Sequence, residues 1–264
     1  MLDFDEEASR AVEEVYGTAD VVEQRRVVMA ALSPRTGERA LDLGCGPGLL
    51  ACQLARAVGP GGRVYGIDIS PSMLAIAARR DCGPGAAPVD LSPADAGGPL
   101  PLGDGSVDLA VATQVYEYVP DIPAALAEAR RVLAPGGRLL VLDTDWDSVV
   151  WRSGDDPLMS RVMAAWDEHL AHRELPRRLP QLLREGGYAL VSSSVVPMLN
   201  VGYARDTYSG GLLELIATYV PGRAGVDAAD ADAWAAGLRD LGADYFFSVN
   251  RFMFLATAEG GGCP

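Results

Sequence analysis

The sequence predicts an α/β fold built on a doubly wound, mostly parallel sheet. Three observations carry this. From about residue 38 to residue 147, short apolar runs bounded by turn residues alternate with segments of helical apolar spacing. The first run and its helix are joined by a glycine turn, Gly44-Cys45-Gly46-Pro47-Gly48. The runs are also apolar enough to be buried on both faces, as strands under right-handed crossover helices must be.

Up to Leu32, the residues Val12, Val15, Val22, Val28 and Leu32 recur among charges, which predicts one or two amphipathic helices packed outside a later core. Ala40-Leu41-Asp42-Leu43 reads as the first strand, and helical spacing resumes from Leu49 to Ala55. Arg63 to Ile69 reads as the second strand, and Ser70-Pro71 caps a helix reaching about Arg80. Pro88 to Leu91 is a third strand and Val107 to Ala112 a fourth. A helix begun at Asp121 leads to a fifth strand, Gly137 to Leu142.

Beyond Asp147 the rhythm changes. Helical stretches from Pro157 to Ala171 and Pro180 to Glu185 precede a strand from Tyr188 to Val196. Two further helical stretches, Asp206 to Tyr219 and Ala229 to Leu241, read as a cap over the strand ends, before a last strand from Tyr245 to Leu255. The end at Gly260-Gly261-Gly262 reads as frayed.

With 264 residues, 49% of them hydrophobic, the chain can bury one large core. The formal net charge of −14 repels phosphate backbones, and no basic run offers a patch for them, which argues against a nucleic-acid partner. The opening residues Met1 to Glu7 lack a secretory pattern, and no apolar stretch is long enough to span a bilayer, so no membrane partner and a cytoplasmic location are expected. Cys45, Cys52, Cys82 and Cys263 have no CxxC spacing and no nearby His, so reduced thiols are expected rather than disulfides or zinc.

In an open α/β sheet, ligands sit beyond the carboxyl ends of the strands, where strand order reverses. The glycine turn occupies that place. Gly44, Gly46 and Gly48 let backbone approach a ligand closely, and the helix start behind them offers free N–H groups suited to a carboxylate. Asp68 ends the second strand, where a carboxylate can accept from a ribose diol, and Asp95-Ala96 follows the third at the level of an adenine ring. A tight strand-to-helix turn favours glycine for structural reasons as well, and an acidic residue at the Asp68 position also occurs in NAD enzymes.

Taken together, these segments resemble the class I S-adenosylmethionine-dependent methyltransferases, most closely the ubiquinone/menaquinone-biosynthesis-like small-molecule branch. The resemblance rests on Leu41-Asp42-Leu43-Gly44-Cys45-Gly46-Pro47-Gly48, on Gly66-Ile67-Asp68-Ile69-Ser70 with Met73-Leu74, and on Ala94-Asp95-Ala96 with Leu100-Pro101-Leu102 and Ser106-Val107-Asp108. Arg131 to Gly137 is the turn that follows these motifs, and the match covers Glu38 to about Asp143.

The resemblance implies a Rossmann-like sheet of seven strands with the last antiparallel. It also implies S-adenosyl-L-methionine as cofactor: Asp42 and the loop Gly44, Cys45, Gly46 and Gly48 at its amino-acid end, Asp68 at the ribose, Ile69 and Met73 beside adenine, and Asp95 with Ala96 at the adenine amino group. Gln114 is expected near the methionine portion, and Tyr16, Gln24 and Arg25 on a helix closing over the cofactor. A single domain follows, with residues 1–37 as N-terminal helices over the cofactor, 38–147 as the cofactor-binding core, 148–244 as the substrate side with cap helices, and 245–257 as the final strand. Many relatives have His after strand four; this chain has Tyr116-Glu117-Tyr118, so a histidine base there is excluded.

Methyl transfer from a sulfonium is an in-line displacement with a neutral leaving group, so alignment and desolvation of the nucleophile can carry much of the catalysis. For a base, Asp143-Thr144-Asp145-Trp146-Asp147 puts carboxylates at period two after strand five, on one face of extended chain and at the expected pocket mouth. Asp143, Asp145 and Tyr118 are therefore the catalytic candidates, against a reading of the acids as solvated loop or helix cap. No metal site is expected, and His169 and His172 are read as surface residues of one helix.

Trp146, Trp151, Tyr203 and Tyr208, with Tyr219, supply aromatic surface for a small, partly apolar or aromatic substrate. Arg205 and Arg251 could anchor an acid, with solvent exposure the default expectation for both. Two rivals stand beside methyl transfer to an O, N or C acceptor: a protein of this fold that binds S-adenosylmethionine but acts as a cyclase or regulator, and an NAD-dependent oxidoreductase. The last is disfavoured, because the third glycine follows the second by two positions rather than three. The sequence leaves the oligomeric state open.

Overall fold

The computed structural model describes residues 6–259, with side chains from residue 12 onward. The expectations for Gly260-Gly261-Gly262, for Cys263 and for Met1 to Asp5 concern residues outside that range. Seven strands form one sheet: β1 (Arg39–Leu43), β2 (Arg63–Asp68), β3 (Val89–Pro93), β4 (Val107–Thr113), β5 (Leu133–Trp151), β6 (Tyr188–Val201) and β7 (Phe246–Ala258). Their order is β3-β2-β1-β4-β5-β7-β6, with β7 antiparallel to both its neighbours and the other pairs parallel. The winding reverses between β1 and β4, which opens a crevice there at the carboxyl ends of the strands.

The helices are α1 (Glu6–Gly17), α2 (Ala19–Leu32), α3 (Leu49–Val58), α4 (Pro71–Ala78), α5 (Ile122–Val132), α6 (Asp156–Asp167), α7 (Leu179–Glu185), α8 (Tyr208–Tyr219) and α9 (Ala228–Asp240). Two starts follow from local chemistry: Ser70 accepts from the Met73 amide with Pro71 in the first turn, and the Asp121 carboxylate accepts from the Ala124 amide at 3.0 Å. On one face of the sheet, Leu126 of α5 and Leu183 of α7 pack on Leu41 and Val141. On the other, Val28 of α2 and Leu54 of α3 pack on Leu109 and Leu140. A third cluster, with Trp151, Trp166 and Trp234, joins the cap helices α6, α8 and α9 to the far end of β7. Among the described residues no helix is long and apolar enough to cross a membrane.

Four expectations are corrected. Strand β5 does not end at Leu142 but continues to Trp151, because antiparallel β7 goes on supplying hydrogen bonds after parallel β4 has ended at Thr113. Pairing runs to Asp145 with Asn250 and resumes at Val150 with Ser248, so Asp143 and Asp145 lie within the sheet rather than in a loop at a pocket mouth. His169 lies beyond the end of α6 and is buried, its ring against Trp166, instead of sitting on a helix surface. Arg251 is fully buried at the middle of β7.

The fourth concerns the thiols. Cys52 of α3 and Cys82, in the loop after α4, form a disulfide with their Cα atoms 4.9 Å apart. Thirty residues separate them in sequence, so no local spacing announced the pair; the packing of α3 and the α4 loop at the same end of the sheet creates it. Cys45 remains a free, buried thiol.

Candidate functional site

A cavity of about 200 Å³ lies at the crevice between β1 and β4, under α1 and α2. The turn after β1 makes its floor. Gly44 has φ +62, and a Cβ there would stand 2.4 Å from a methyl carbon of Val115, so only glycine lets the turns after β1 and β4 meet. Gly46, at φ +51, faces the Tyr16 ring, and its amide donates to Asp68 at 2.8 Å. The other Asp68 oxygen accepts from the Ser70 amide, also at 2.8 Å. Asp68 thus braces the loop as well as facing the cavity, and burial raises its carboxyl above the usual range.

Asp42, at the end of β1, is almost fully buried, and one of its carboxylate oxygens has no partner. Burial, with the Asp68 charge nearby, pushes its carboxyl up to about 8. An unpartnered carboxylate facing a cavity is a site prepared for a donor or a cation from a ligand. Tyr16 from α1 and Gln24 and Arg25 from α2 roof the cavity, and Arg25 is held by donating to the Tyr16 carbonyl at 2.7 Å. Arg80 ties the same roof down: it donates to the Pro47 carbonyl at 2.8 Å and pairs with Glu13 of α1.

Ile69, more than half exposed, and buried Met73 form an apolar edge, with Asp95 and Ala96 beyond them. Gln114 closes the end next to β4. It has φ +56, unusual for a residue with a side chain, and its Nε2 donates to Thr144 Oγ1 at 3.1 Å.

The structure therefore brings Tyr16, Arg25, Asp42, Gly44, Cys45, Gly46, Asp68, Ile69, Met73, Asp95, Ala96 and Gln114 around one cavity, and adds Tyr118 to its wall. It does not bring Gly48 there. That residue starts α3 at φ +76 and lies against α4, where a Cβ would be 2.9 Å from the Ala77 side chain; its glycine serves helix packing.

The other candidates lie elsewhere. Asp143 is fully buried and accepts from the Val115 amide at 3.0 Å, while Asp145 accepts twice from Arg177 at 2.9 Å. Trp151 packs edge-on against Trp234 and Phe247 in the cap core, and Tyr203 against Tyr245. Tyr208 lies under the Arg251 guanidinium, 4.5 Å from ring centre to cation. Trp146 donates to Glu117 at 3.3 Å. None of these lines the cavity, because aromatic side chains this large were claimed by the cap's own core.

Glu117 was not foreseen as a site residue, and Arg251, named as a possible anchor for an acid, was expected at the surface. Glu117 is fully buried, in a single 3-10 turn (Tyr116–Tyr118) that follows β4. One of its oxygens accepts from the Thr144 amide at 3.1 Å and from Trp146; the other has no partner. Burial pushes its carboxyl up to about 7. Arg251 donates to the Gln24 amide oxygen, and its Nε and Nη2 have no partner. The sequence signal for Glu117 was an acid flanked by two tyrosines beyond strand four; for Arg251 it was an arginine inside an apolar strand.

The family described as "Methyltransferase domain" matches residues 41–141. Demethylmenaquinone methyltransferase of Geobacillus kaustophilus is 32% identical over 201 residues, covering 69% of this chain and 85% of that protein. The chain belongs to the class I S-adenosylmethionine-dependent methyltransferases.

An uncharacterized 37.1 kDa protein in transposon Tn4556 of Streptomyces fradiae is 42% identical over 182 residues, covering 67% of this chain; the chain spans only 50% of that relative's length. Among solved structures, the [4+2]-cyclase SpnF superposes with a TM-score of 0.59 at 26% identity, over 90% of this chain and 81% of SpnF. The cofactor of the family, S-adenosyl-L-methionine, fits what the cavity offers this methyltransferase. The fit rests on the glycine floor that a Cβ would fill, on the buried unpartnered Asp42 oxygen, and on the apolar Ile69 and Met73 edge.

Proposed function

We propose that the chain transfers a methyl group to a small, partly apolar or aromatic molecule. The observation that carries the reading is the single cavity that joins Asp42, Asp68 and the glycine floor to Gln114 and Tyr118. The name of the Geobacillus relative, demethylmenaquinone methyltransferase, supports a quinone-like acceptor class.

Asp42, with the amides of the loop from Gly44 to Gly46, would hold the amino-acid end of the cofactor. Asp68 would take the ribose diol, Ile69 and Met73 would flank adenine, and Asp95 with Ala96 would meet its amino group. When bound, S-adenosylmethionine supplies a methyl group activated on a sulfonium. The remaining work falls to this chain's own residues. Tyr16, Gln24 and Arg25 would shut water out from above, Gln114 would fix the reacting end through its strained backbone and its bond to Thr144, and Tyr118 would form the wall on the acceptor side. Residues 1–37 then act as a roof over the cofactor, and residues 148–244, with α6, α8 and α9, form the substrate side.

The test is incubation with methyl-labelled S-adenosylmethionine and a panel of naphthols, hydroquinones and arylamines, followed by mass analysis. Product heavier by the labelled methyl supports the reading. Product of unchanged mass would make the protein a cyclase, and no conversion of any acceptor would overturn the acceptor class.

A further inference from the structure

Arg251 and Glu117 are two fully buried charged side chains, each with polar atoms that have no partner. Strand pairing sets Thr144 of β5 beside Arg251 of β7, and the Thr144 amide holds one oxygen of Glu117. Both side chains are fully buried, yet they make no ion pair with each other. The guanidinium has two nitrogens without partners, Nε and Nη2, and Glu117 has one such oxygen, Oε1. Buried polar groups are nearly always satisfied, and a buried cation left without an anion is costlier still.

The unmet needs on the two sides are complementary. The guanidinium nitrogens only donate, and the carboxylate, when ionised, only accepts. A hydroxyl meets both with one atom: its proton goes toward Glu117, and its oxygen accepts from Arg251. The surroundings are aromatic. Tyr208 lies against the guanidinium, Trp146 donates to Glu117, and Tyr118 and Trp146 both pack near His169. The pair is also one side chain from the cofactor cavity. Gln24, the partner of Arg251, and Tyr118, the neighbour of Glu117, both line that cavity.

We propose that the methyl acceptor is an aromatic or enolic hydroxyl that binds between Glu117 Oε1 and the Arg251 guanidinium, displacing the Gln24 amide from Arg251. This rests on the reading of the cavity as the cofactor site. The acceptor O–H bond breaks, its proton is taken by the Glu117 carboxylate, and the electron pair stays on the acceptor oxygen, where Arg251 balances the charge. The charged and titratable groups facing the pair are Asp143 from β5, Tyr16 from α1, Tyr208 from α8 and Tyr118 on its own turn. His169, kept neutral by burial, adds no charge. The anion therefore has Arg251 as its only neighbouring cation among the described residues that face the pair.

The experiment uses the full chain loaded with S-adenosylhomocysteine and titrated with 1-naphthol, whose neutral and ionised forms absorb differently. 1-Methoxynaphthalene and 1-naphthylamine are the comparison probes. The expected result is saturable binding of 1-naphthol at least tenfold tighter than of its methyl ether, with the spectrum of naphtholate below the pH at which free naphthol ionises. Arg251→Met should abolish the ionised spectrum, Arg251→Lys should keep part of it, and Glu117→Gln should leave bound naphthol neutral. Naphthol bound with its neutral spectrum, binding no tighter than the ether, or no saturable binding overturns the inference. The wild-type spectrum decides even where a variant fails to fold. Calorimetry of S-adenosylhomocysteine on the same samples separates the two readings: if that binding is absent the cofactor site itself fails, and if it persists only the acceptor inference does.

Discussion

The Asp68 carboxylate accepts a hydrogen bond of 2.8 Å from the amide of Gly46, so the end of the second strand holds the glycine turn that follows the first. One residue thereby shapes the loop and faces the ligand. Asp68→Ala is expected to weaken S-adenosylmethionine binding by about 100-fold, the loss of charge-assisted hydrogen bonds together with a loosened loop. Calorimetry would measure it. The variant should also melt earlier than wild type, because the Gly46 and Ser70 amides lose their acceptor. Unchanged affinity would remove Asp68 from the site.

Asp42 makes stability depend on pH in a direction opposite to that of most carboxylates. Its folded carboxyl is raised from 3.8 to about 8, so between those values the folded protein holds a proton that the unfolded chain has lost. Stability of the ligand-free protein should fall as pH rises through that window, by up to about 1.4 kcal/mol per pH unit from this group. Asp42→Asn should flatten the slope in denaturant melts recorded between pH 5 and pH 8, a range chosen to lie inside the window. An identical slope in the variant would contradict the assignment.

Gly44 is expected to tolerate no side chain. Gly44→Ala combines a left-handed backbone with a Cβ placed 2.4 Å from Val115, and should cost about 3 kcal/mol. Adding Val115→Ala should recover part of that loss, since it removes the clash but not the backbone strain. A double-mutant cycle in urea measures the recovery. If the two losses simply add, the close approach is not the cause.

The disulfide closes a loop of about thirty residues around β2 and α4. Cys52→Ser is expected to lower stability by about 3 kcal/mol, and reduction of the wild type by a similar amount. Melting with and without a thiol reductant checks this. Equal melting curves would mean the bond contributes nothing.

What could be read from the sequence was what local chemistry decides. The glycine turn, Asp68 after a strand, Ser70-Pro71 and Asp121 each announce their place through backbone requirements that few other residues meet, and each stands where expected. Asp143 and Asp145 misled because a strand end was inferred from polarity, whereas the antiparallel partner β7, more than a hundred residues away, extends β5 through them. Arg251 and His169 misled for the same reason in reverse: charge and polarity suggest exposure, and only tertiary packing buried them. The aromatic residues of the cap carried no signal to separate those lining a ligand site from those filling its core. Cys52 and Cys82 lie thirty residues apart, and distance along the chain held no trace of their contact.

The cavity between the β1 and β4 turns is the expected seat of S-adenosylmethionine. The most direct measurement is calorimetric titration of the protein with S-adenosylmethionine, S-adenosylhomocysteine and NAD in parallel. Binding of the first two in the micromolar range, about −8 kcal/mol, with no heat from NAD, is expected. Binding of NAD alone, or of none of the three, would contradict it.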